Sequence, residues 1–215
     1  MAIILAGFLT GCSLHSETNQ YSDIDRSLSS LQTVQRLRTI CPPLQLHDLN
    51  DEEELNALLQ RVLYRIQIAD PAHYQSVRAE VLHCDAPFSV VGSQRVVVLS
   101  SGMLRLLPSE AALAFLFAHE LAHFSLGHIQ SLGLDNNDEE YRMSDETDAD
   151  KAALRTVIAA HYNPWAALEV FTELSSQQLA VHSSEQHTQT HPFPIQRRQV
   201  LEEYLQAAQW TPPGT

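Results

Sequence analysis

The chain has little positive charge. Lys and Arg together number 13 against 26 Asp and Glu, which gives a formal net charge of −13 and a pI near 5.1. No basic cluster interrupts this acidic background, so the composition argues against nucleic acids and other polyanions as partners. Only seven glycines occur, they form no phosphate-binding loop, and no internal repeat predicts a solenoid.

Long apolar runs are also lacking. The first twelve residues are apolar but too short to span a membrane as a finished helix, and they are typical of the apolar region of a signal peptide. Leu9-Thr10-Gly11-Cys12 resembles a bacterial lipobox, in which the signal is cut before the cysteine and the cysteine carries the lipid. We therefore expect a signal peptide over 1–11 and lipid on Cys12. Ser13 favours an outer-membrane anchor facing the periplasm, and the alternative is an uncut N-terminal anchor.

Cysteine is scarce, with three residues in the chain. If Cys12 carries lipid, Cys41 and Cys84 remain as one possible disulfide in an oxidising compartment. The alternative is two buried thiols. The mature length of about 200 residues suits a single domain over 12–215 with a sizeable core.

The most informative feature that is present is His119-Glu120-Leu121-Ala122-His123, because it matches the zinc-protease signature His-Glu-x-x-His. Composition alone would produce about 0.04 such matches in a chain of this length. On an α-helix the two histidines differ by roughly 40° around the axis and can share one tetrahedral ion, with Glu120 beside it as the base that acts on water. Pro108-Ser109-Glu110 predicts the start of this helix, and the apolar run over 111–118 predicts that it is buried.

A catalytic zinc site needs a third protein ligand, and Glu146 is the preferred candidate. Glu146 and Asp150 are four residues apart in a segment that predicts a helix, so they share one face. Glu146 could complete the zinc shell while Asp150 accepts a hydrogen bond from a ligand histidine. The alternative is a solvated, acidic helix N-terminus. His128 would point away from the site if the helix of His119 continued through it.

Three motifs together resemble the HtpX-like gluzincin peptidases, which include the CaaX prenyl proteases and soluble periplasmic lipoprotein proteases. The motifs are His119-Glu120-x-x-His123, Glu146-x-x-Ala149-Asp150, and Thr190-His191-Pro192 followed by Arg197. The resemblance covers the chain from about Val77 onward and fits the soluble branch. It implies that Glu146 is the third zinc ligand, that His191 stabilises the tetrahedral intermediate, and that Arg197 matches the family's arginine. Alone, His191-Pro192 would indicate only a turn.

The coarse pattern predicts an α+β, mainly α-helical fold with a gluzincin-type core: an active-site helix, a ligand-bearing helix and a small β-hairpin or sheet. Helices are predicted over 23–40 and 51–69, from Ser109, from about Asp145, from Asn163-Pro164, and over 195–209. Extended segments are predicted over 77–83 and 88–99, with a turn at 92–94, and a polar loop over 132–142. Residues 95–100 could be an exposed sheet edge that pairs with a peptide substrate, or a core strand.

These observations predict a zinc-dependent endopeptidase of the bacterial cell envelope, with one Zn²⁺ per chain, acting in periplasmic protein quality control. The expected partners are protein or peptide substrates and a membrane reached through the lipid anchor, with envelope assembly proteins as further candidates. The rival hypothesis is a non-catalytic assembly or chaperone-like adaptor in which a structural zinc holds two helices together.

Overall fold

The computed structural model describes residues 30–45, 49–92, 94–128, 139–180 and 194–210. These residues form seven helices and three short strands, so the fold is α+β and mainly helical, as the sequence predicts. In chain order the elements are α1 (Ser30–Ile40), α2 (Leu49–Ala69), β1 (Arg78–Leu82), β2 (Ser89–Val91), β3 (Val96–Ser100), α3 (Ser101–Leu106), α4 (Glu110–Ser125), α5 (Glu139–Ala159), α6 (Ala166–Ala180) and α7 (Pro194–Ala207).

The three strands form a small sheet in the order β1-β3-β2. Strand β1 is parallel and β2 antiparallel to β3, so Val81 of β1 and Ser89 of β2 both lie opposite Leu99 of β3. The prediction that residues 95–100 form an exposed edge is wrong, because β3 is hydrogen-bonded on both sides. The alternative of a core strand is confirmed.

Helix α4 is the centre of the fold. It begins where predicted, because the Ser109 side chain accepts a hydrogen bond from the Ala112 N–H at 3.2 Å and caps the first turn. Every residue from 112 to 123 is buried, since α2, α5, α6 and the strands β2 and β3 surround the helix. A helix that is apolar on all sides belongs in a core. Its few polar side chains are therefore held away from water.

Some element boundaries differ from those predicted. Helix α5 begins at Glu139 rather than near Asp145, so residues 139–142 are helical and not part of the polar loop. Helix α6 begins at Ala166, after a turn in which the Asn163 side chain accepts from the Trp165 N–H at 3.1 Å. The short helix α3 was not predicted. Its N-terminus is capped by Ser100, the last residue of β3.

Other predictions fall outside the described residues: the signal peptide over 1–11, lipidation at Cys12, and the segment 23–29 of the first predicted helix. Within the ranges that the structure describes, none of the helices combines the length and apolar character needed to cross a bilayer.

Cys41 and Cys84 form a disulfide, with their Cα atoms 5.4 Å apart. The bond joins the end of α1 to the segment that follows β1. Both cysteines are buried in a small apolar cluster, separate from the main core, that also includes Val34, Leu37 and Phe88. The disulfide therefore fastens α1 to the sheet together with this apolar cluster and the ion pair between Arg38 and Glu80. The alternative of two free thiols is wrong.

Replacing both cysteines by Ala should lower the free energy of unfolding by roughly 2–4 kcal/mol, because the bond closes a loop across a sequence separation of 43 residues. Urea denaturation followed by circular dichroism would measure the loss. Wild-type protein reduced with a thiol should lose a similar amount, which controls for the change in side-chain volume. Equal stability of the oxidised wild type and the double variant would contradict a structural role for the bond.

Candidate metal and active site

Helix α4 carries three polar residues into the core on adjacent turns. His119, Glu120 and His123 are 2%, 1% and 9% exposed. The spacing of four residues places the two imidazoles on one face, and their Nε2 atoms lie 3.0 Å apart. Two Nε2 atoms at this distance can both reach one ion.

Helix α5 packs against α4 and brings Glu146 to the same position. Its Oε2 lies 3.5 Å from His119 Nε2, and its Oε1 lies 3.6 Å from His123 Nε2. Zinc bonds of about 2.0–2.2 Å at tetrahedral angles separate neighbouring ligand atoms by about 3.3–3.6 Å. The two distances to Glu146 match this spacing, and the 3.0 Å between the histidine Nε2 atoms is shorter by a few tenths of an ångström. Among the described residues, these three are the group that could hold a metal ion.

Glu146 is the eighth residue of α5, so it lies beyond the first turn. The helix dipole favours carboxylates within the first turn, and Glu146 is moreover buried. The alternative of a solvated helix N-terminus does not describe this residue. Its side chain is instead held inside the protein by charged partners.

Asp150 lies one turn further along α5 and is completely buried. Its Oδ1 lies 2.8 Å from His119 Nδ1, so the Nδ1–H of a neutral imidazole would donate to the carboxylate and leave Nε2 as the acceptor that faces the site. Burial by itself would lower the pKa of His119, but Asp150 and Glu146 raise it above the ordinary value. Protons and a metal ion therefore compete for this histidine.

Helix α7 supplies the positively charged side chain of the site. Arg197 is buried and donates to both oxygens of Asp150, through Nε at 2.7 Å and Nη2 at 2.6 Å, while its Nη1 lies 2.6 Å from Glu146 Oε2. Burial by itself would lower the pKa of Arg197, but the two carboxylates raise it above its ordinary value. Burial would likewise raise the pKa of Asp150, yet Arg197 and His119 hold it below its usual range.

The charges of the site match a divalent cation. Three buried carboxylates, Glu120, Glu146 and Asp150, face one guanidinium, Arg197. With both histidines neutral this leaves two negative charges, which a dication would neutralise. The nitrogen and oxygen donors suit zinc and other transition-metal dications.

Sequence reasoning missed Ser89. This residue lies on β2, is completely buried, and its Oγ–H donates to Glu120 Oε1 at 2.5 Å. The hydrogen bond fixes the orientation of the Glu120 carboxylate. The only sequence signal was a polar residue within an otherwise apolar strand, which by itself does not indicate a function.

His128 is not among the donors that converge on the site, in agreement with the sequence analysis. The helix does not continue as far as this residue, because α4 ends at Ser125 and Gly127 adopts a positive φ of 79°. A residue in this left-handed conformation ends a helix and reverses the chain. His128 consequently turns back toward α4, and its Nδ1 lies 3.0 Å from His123 Nδ1.

The predicted site residues thus fall into three groups. The structure brings together those on α4, α5 and α7: His119, Glu120, His123, Glu146, Asp150 and Arg197. The disulfide of Cys41 and Cys84 belongs to the separate cluster beneath α1. His191 lies outside the described residues, as does Cys12.

Replacing Arg197 by Met should destabilise the metal-free protein by about 3–5 kcal/mol, because it leaves buried carboxylates without their cation. The neighbouring Arg198 provides a matched control. Arg198 pairs with Glu202, one helical turn away, and both side chains are partly exposed. Because surface pairs of this kind contribute little, Arg198→Met should change the free energy of unfolding by at most about 0.5 kcal/mol. Urea unfolding of both variants measures the difference, and equal losses would contradict the charge balance described above.

The contribution of Asp150 to folding stability should also depend on pH. The pKa of Asp150 is lower in the folded chain than the unfolded value of roughly 3.9. Its stabilising contribution is therefore fully present above that value and is lost as the pH falls through it toward the folded pKa. The free energy of unfolding of the metal-free wild type should therefore fall between about pH 5 and pH 2 by more than that of Asp150→Asn. Urea unfolding at a series of pH values would measure both.

Comparison with known proteins identifies the family. The sequence profile described as Peptidase U49 matches residues 45–209, which include every element from α2 to α7. No curated protein matches the chain. Since the profile covers more than three quarters of the sequence, the chain belongs to the Peptidase U49 family, a family of peptidases.

Proposed function

We propose that this member of the Peptidase U49 family is a zinc-dependent endopeptidase with a gluzincin-type site, acting on protein or peptide substrates. The observation that carries the proposal is the set of donor atoms of His119, His123 and Glu146, all within 4.8 Å of one another and buried. Three protein ligands leave one position of a tetrahedral shell to solvent or substrate, which is typical of catalytic zinc. A structural zinc usually has four protein ligands.

Zinc, when bound, would lower the pKa of a water molecule and polarise the scissile carbonyl. We assign Glu120 as the general base that takes a proton and then donates it to the leaving amine. Its buried position favours this role, because a charge acts more strongly in a medium from which water is excluded. Ser89 holds the Glu120 carboxylate in one orientation, which reduces the reorganisation that proton transfer would require.

We assign three further residues to the same reaction. Arg197 and Asp150 orient His119 and balance the charge of the ligand carboxylate. His191 is proposed as the residue that stabilises the oxyanion, on the strength of its resemblance to the His-Pro histidine of the HtpX-like peptidases. It precedes by three residues the start of α7, the helix that carries Arg197 into the site.

Glu120→Gln should retain zinc and lose peptide cleavage, because it removes the base and leaves the three ligands in place. Glu146→Ala should lose zinc itself, because it removes a ligand. Glu169→Gln, at an exposed position of α6, is the matched control and should keep both properties. Zinc content and cleavage of an unfolded protein would be measured on the same samples.

The results separate the proposed function from the adaptor hypothesis. Unchanged cleavage by Glu120→Gln would show that the assigned base is wrong. A wild-type protein that binds zinc tightly but cleaves no unfolded substrate would favour a structural zinc in a non-catalytic protein. Full zinc affinity in Glu146→Ala would show that the third ligand is wrong.

We also propose that the enzyme acts in the bacterial periplasm in envelope protein quality control, held by lipid on Cys12 to the outer membrane. Two observations support this location. Leu9-Thr10-Gly11-Cys12 resembles a lipobox, and a disulfide such as that of Cys41 and Cys84 is typical of oxidising compartments.

Cys12→Ala should abolish labelling of the protein by radioactive palmitate and release it from the outer-membrane fraction. Cys12 lies outside the described residues, and circular dichroism of the variant would control for misfolding. A wild-type chain that takes up no palmitate would contradict the lipid anchor without affecting the proposed chemistry.

A further inference from the structure

His128 makes a contact that the proposed chemistry does not use. Its Nδ1 lies 3.0 Å from the Nδ1 of His123, and the two ring centroids are 5.1 Å apart at an interplanar angle of 67°. The rings approach each other through their Nδ1 atoms, with their planes steeply inclined. Between α4 and His128 the chain passes through Gly127, which has a positive φ.

The contact lies on the side of His123 that faces away from the proposed ion. His123 Nε2 is the atom close to His119 Nε2 and to Glu146, so Nε2 is the ligand atom. If Nε2 is a ligand, the proton of a neutral His123 must be on Nδ1. His123 Nδ1–H can then donate to His128 Nδ1, which must be the unprotonated nitrogen of its own ring.

Asp145 favours the tautomer of His128 that this arrangement requires. If His128 accepts at Nδ1, its proton lies on Nε2, and this atom faces Asp145 Oδ1 at 3.6 Å. The negative charge of the carboxylate stabilises a proton at that nitrogen. One assignment of protons therefore satisfies all three side chains. His123 is protonated at Nδ1 and donates to His128, and His128 is protonated at Nε2, which faces Asp145.

We propose that His128, supported by Asp145, is a positioning residue that fixes the tautomer and ring orientation of the metal ligand His123. The inference rests on the proposed zinc site. His119 has the corresponding support from Asp150, which accepts from its Nδ1 at 2.8 Å. Each ligand histidine is thus oriented through its Nδ1 atom, His119 by a carboxylate and His123 by a neutral imidazole. Hydrogen bonds of this kind fix the direction of a ligand ring and raise its affinity for metal.

The test compares the zinc dissociation constants of purified full-length variants, measured by competition with a chromogenic chelator. His128→Ala removes the acceptor and should weaken zinc binding roughly 10- to 100-fold. His128→Asn places an amide oxygen near the position of the missing Nδ1, so it should restore most of the affinity. Asp145→Asn should have a smaller effect in the same direction. His83→Ala, at an exposed histidine outside the site, is the control and should leave the affinity unchanged.

A second measurement separates positioning from a purely structural role. Urea unfolding of the metal-free variants should show that His128→Ala and His128→Asn have similar stability, although their zinc affinities differ. Cobalt-loaded His128→Ala should show a changed visible absorption spectrum, because the direction of one ligand ring has changed, and His128→Asn should return it toward that of the wild type.

The outcomes distinguish this inference from the function on which it rests. Wild-type affinity in His128→Ala would overturn the inference, provided that Glu146→Ala loses zinc. Equal losses in His128→Ala and His128→Asn would overturn the role of the acceptor, and an unchanged Asp145→Asn would overturn the contribution of the carboxylate. A wild-type chain that binds no zinc would overturn the proposed function and this inference together.

Discussion

The burial of three carboxylates on two packed helices is the constraint on which the rest of the structure depends. Glu120, Glu146 and Asp150 are all buried, and an uncompensated buried charge costs several kcal/mol. Arg197 offsets part of this cost by contacting two of them. The position of α7 is consequently tied to the charges of α4 and α5. A divalent cation beside the two histidines would neutralise the remaining negative charge.

The same arrangement gives the site its rigidity. Helix α4 is enclosed on all sides by apolar packing, so its histidines project from a backbone that has little freedom to move. Each imidazole is further restricted by a partner on its far nitrogen, Asp150 for His119 and His128 for His123. A metal ion binding here would find its ligands already oriented, and less ordering free energy would oppose binding.

Sequence reasoning succeeded where chemistry and helical period coincide. The spacing of His119 and His123, and of Glu146 and Asp150, is sufficient to put each pair on one helix face. The spacing of apolar residues does not indicate which strand lies in the centre of a sheet. The sequence therefore allowed two interpretations of β3, an exposed edge and a core strand. The contact of His128 with His123 was not predicted, because α4 ends before His128 and the left-handed conformation of Gly127 does not follow from periodicity.

The central claim is that His119, His123 and Glu146 hold one zinc ion, and anomalous diffraction tests it most directly. A crystal grown with zinc, with data collected on both sides of the zinc absorption edge, should show an anomalous peak bonded to the two Nε2 atoms and the Glu146 carboxylate at about 2.0–2.2 Å. No peak at this position, or a peak bonded to other side chains, would contradict the account.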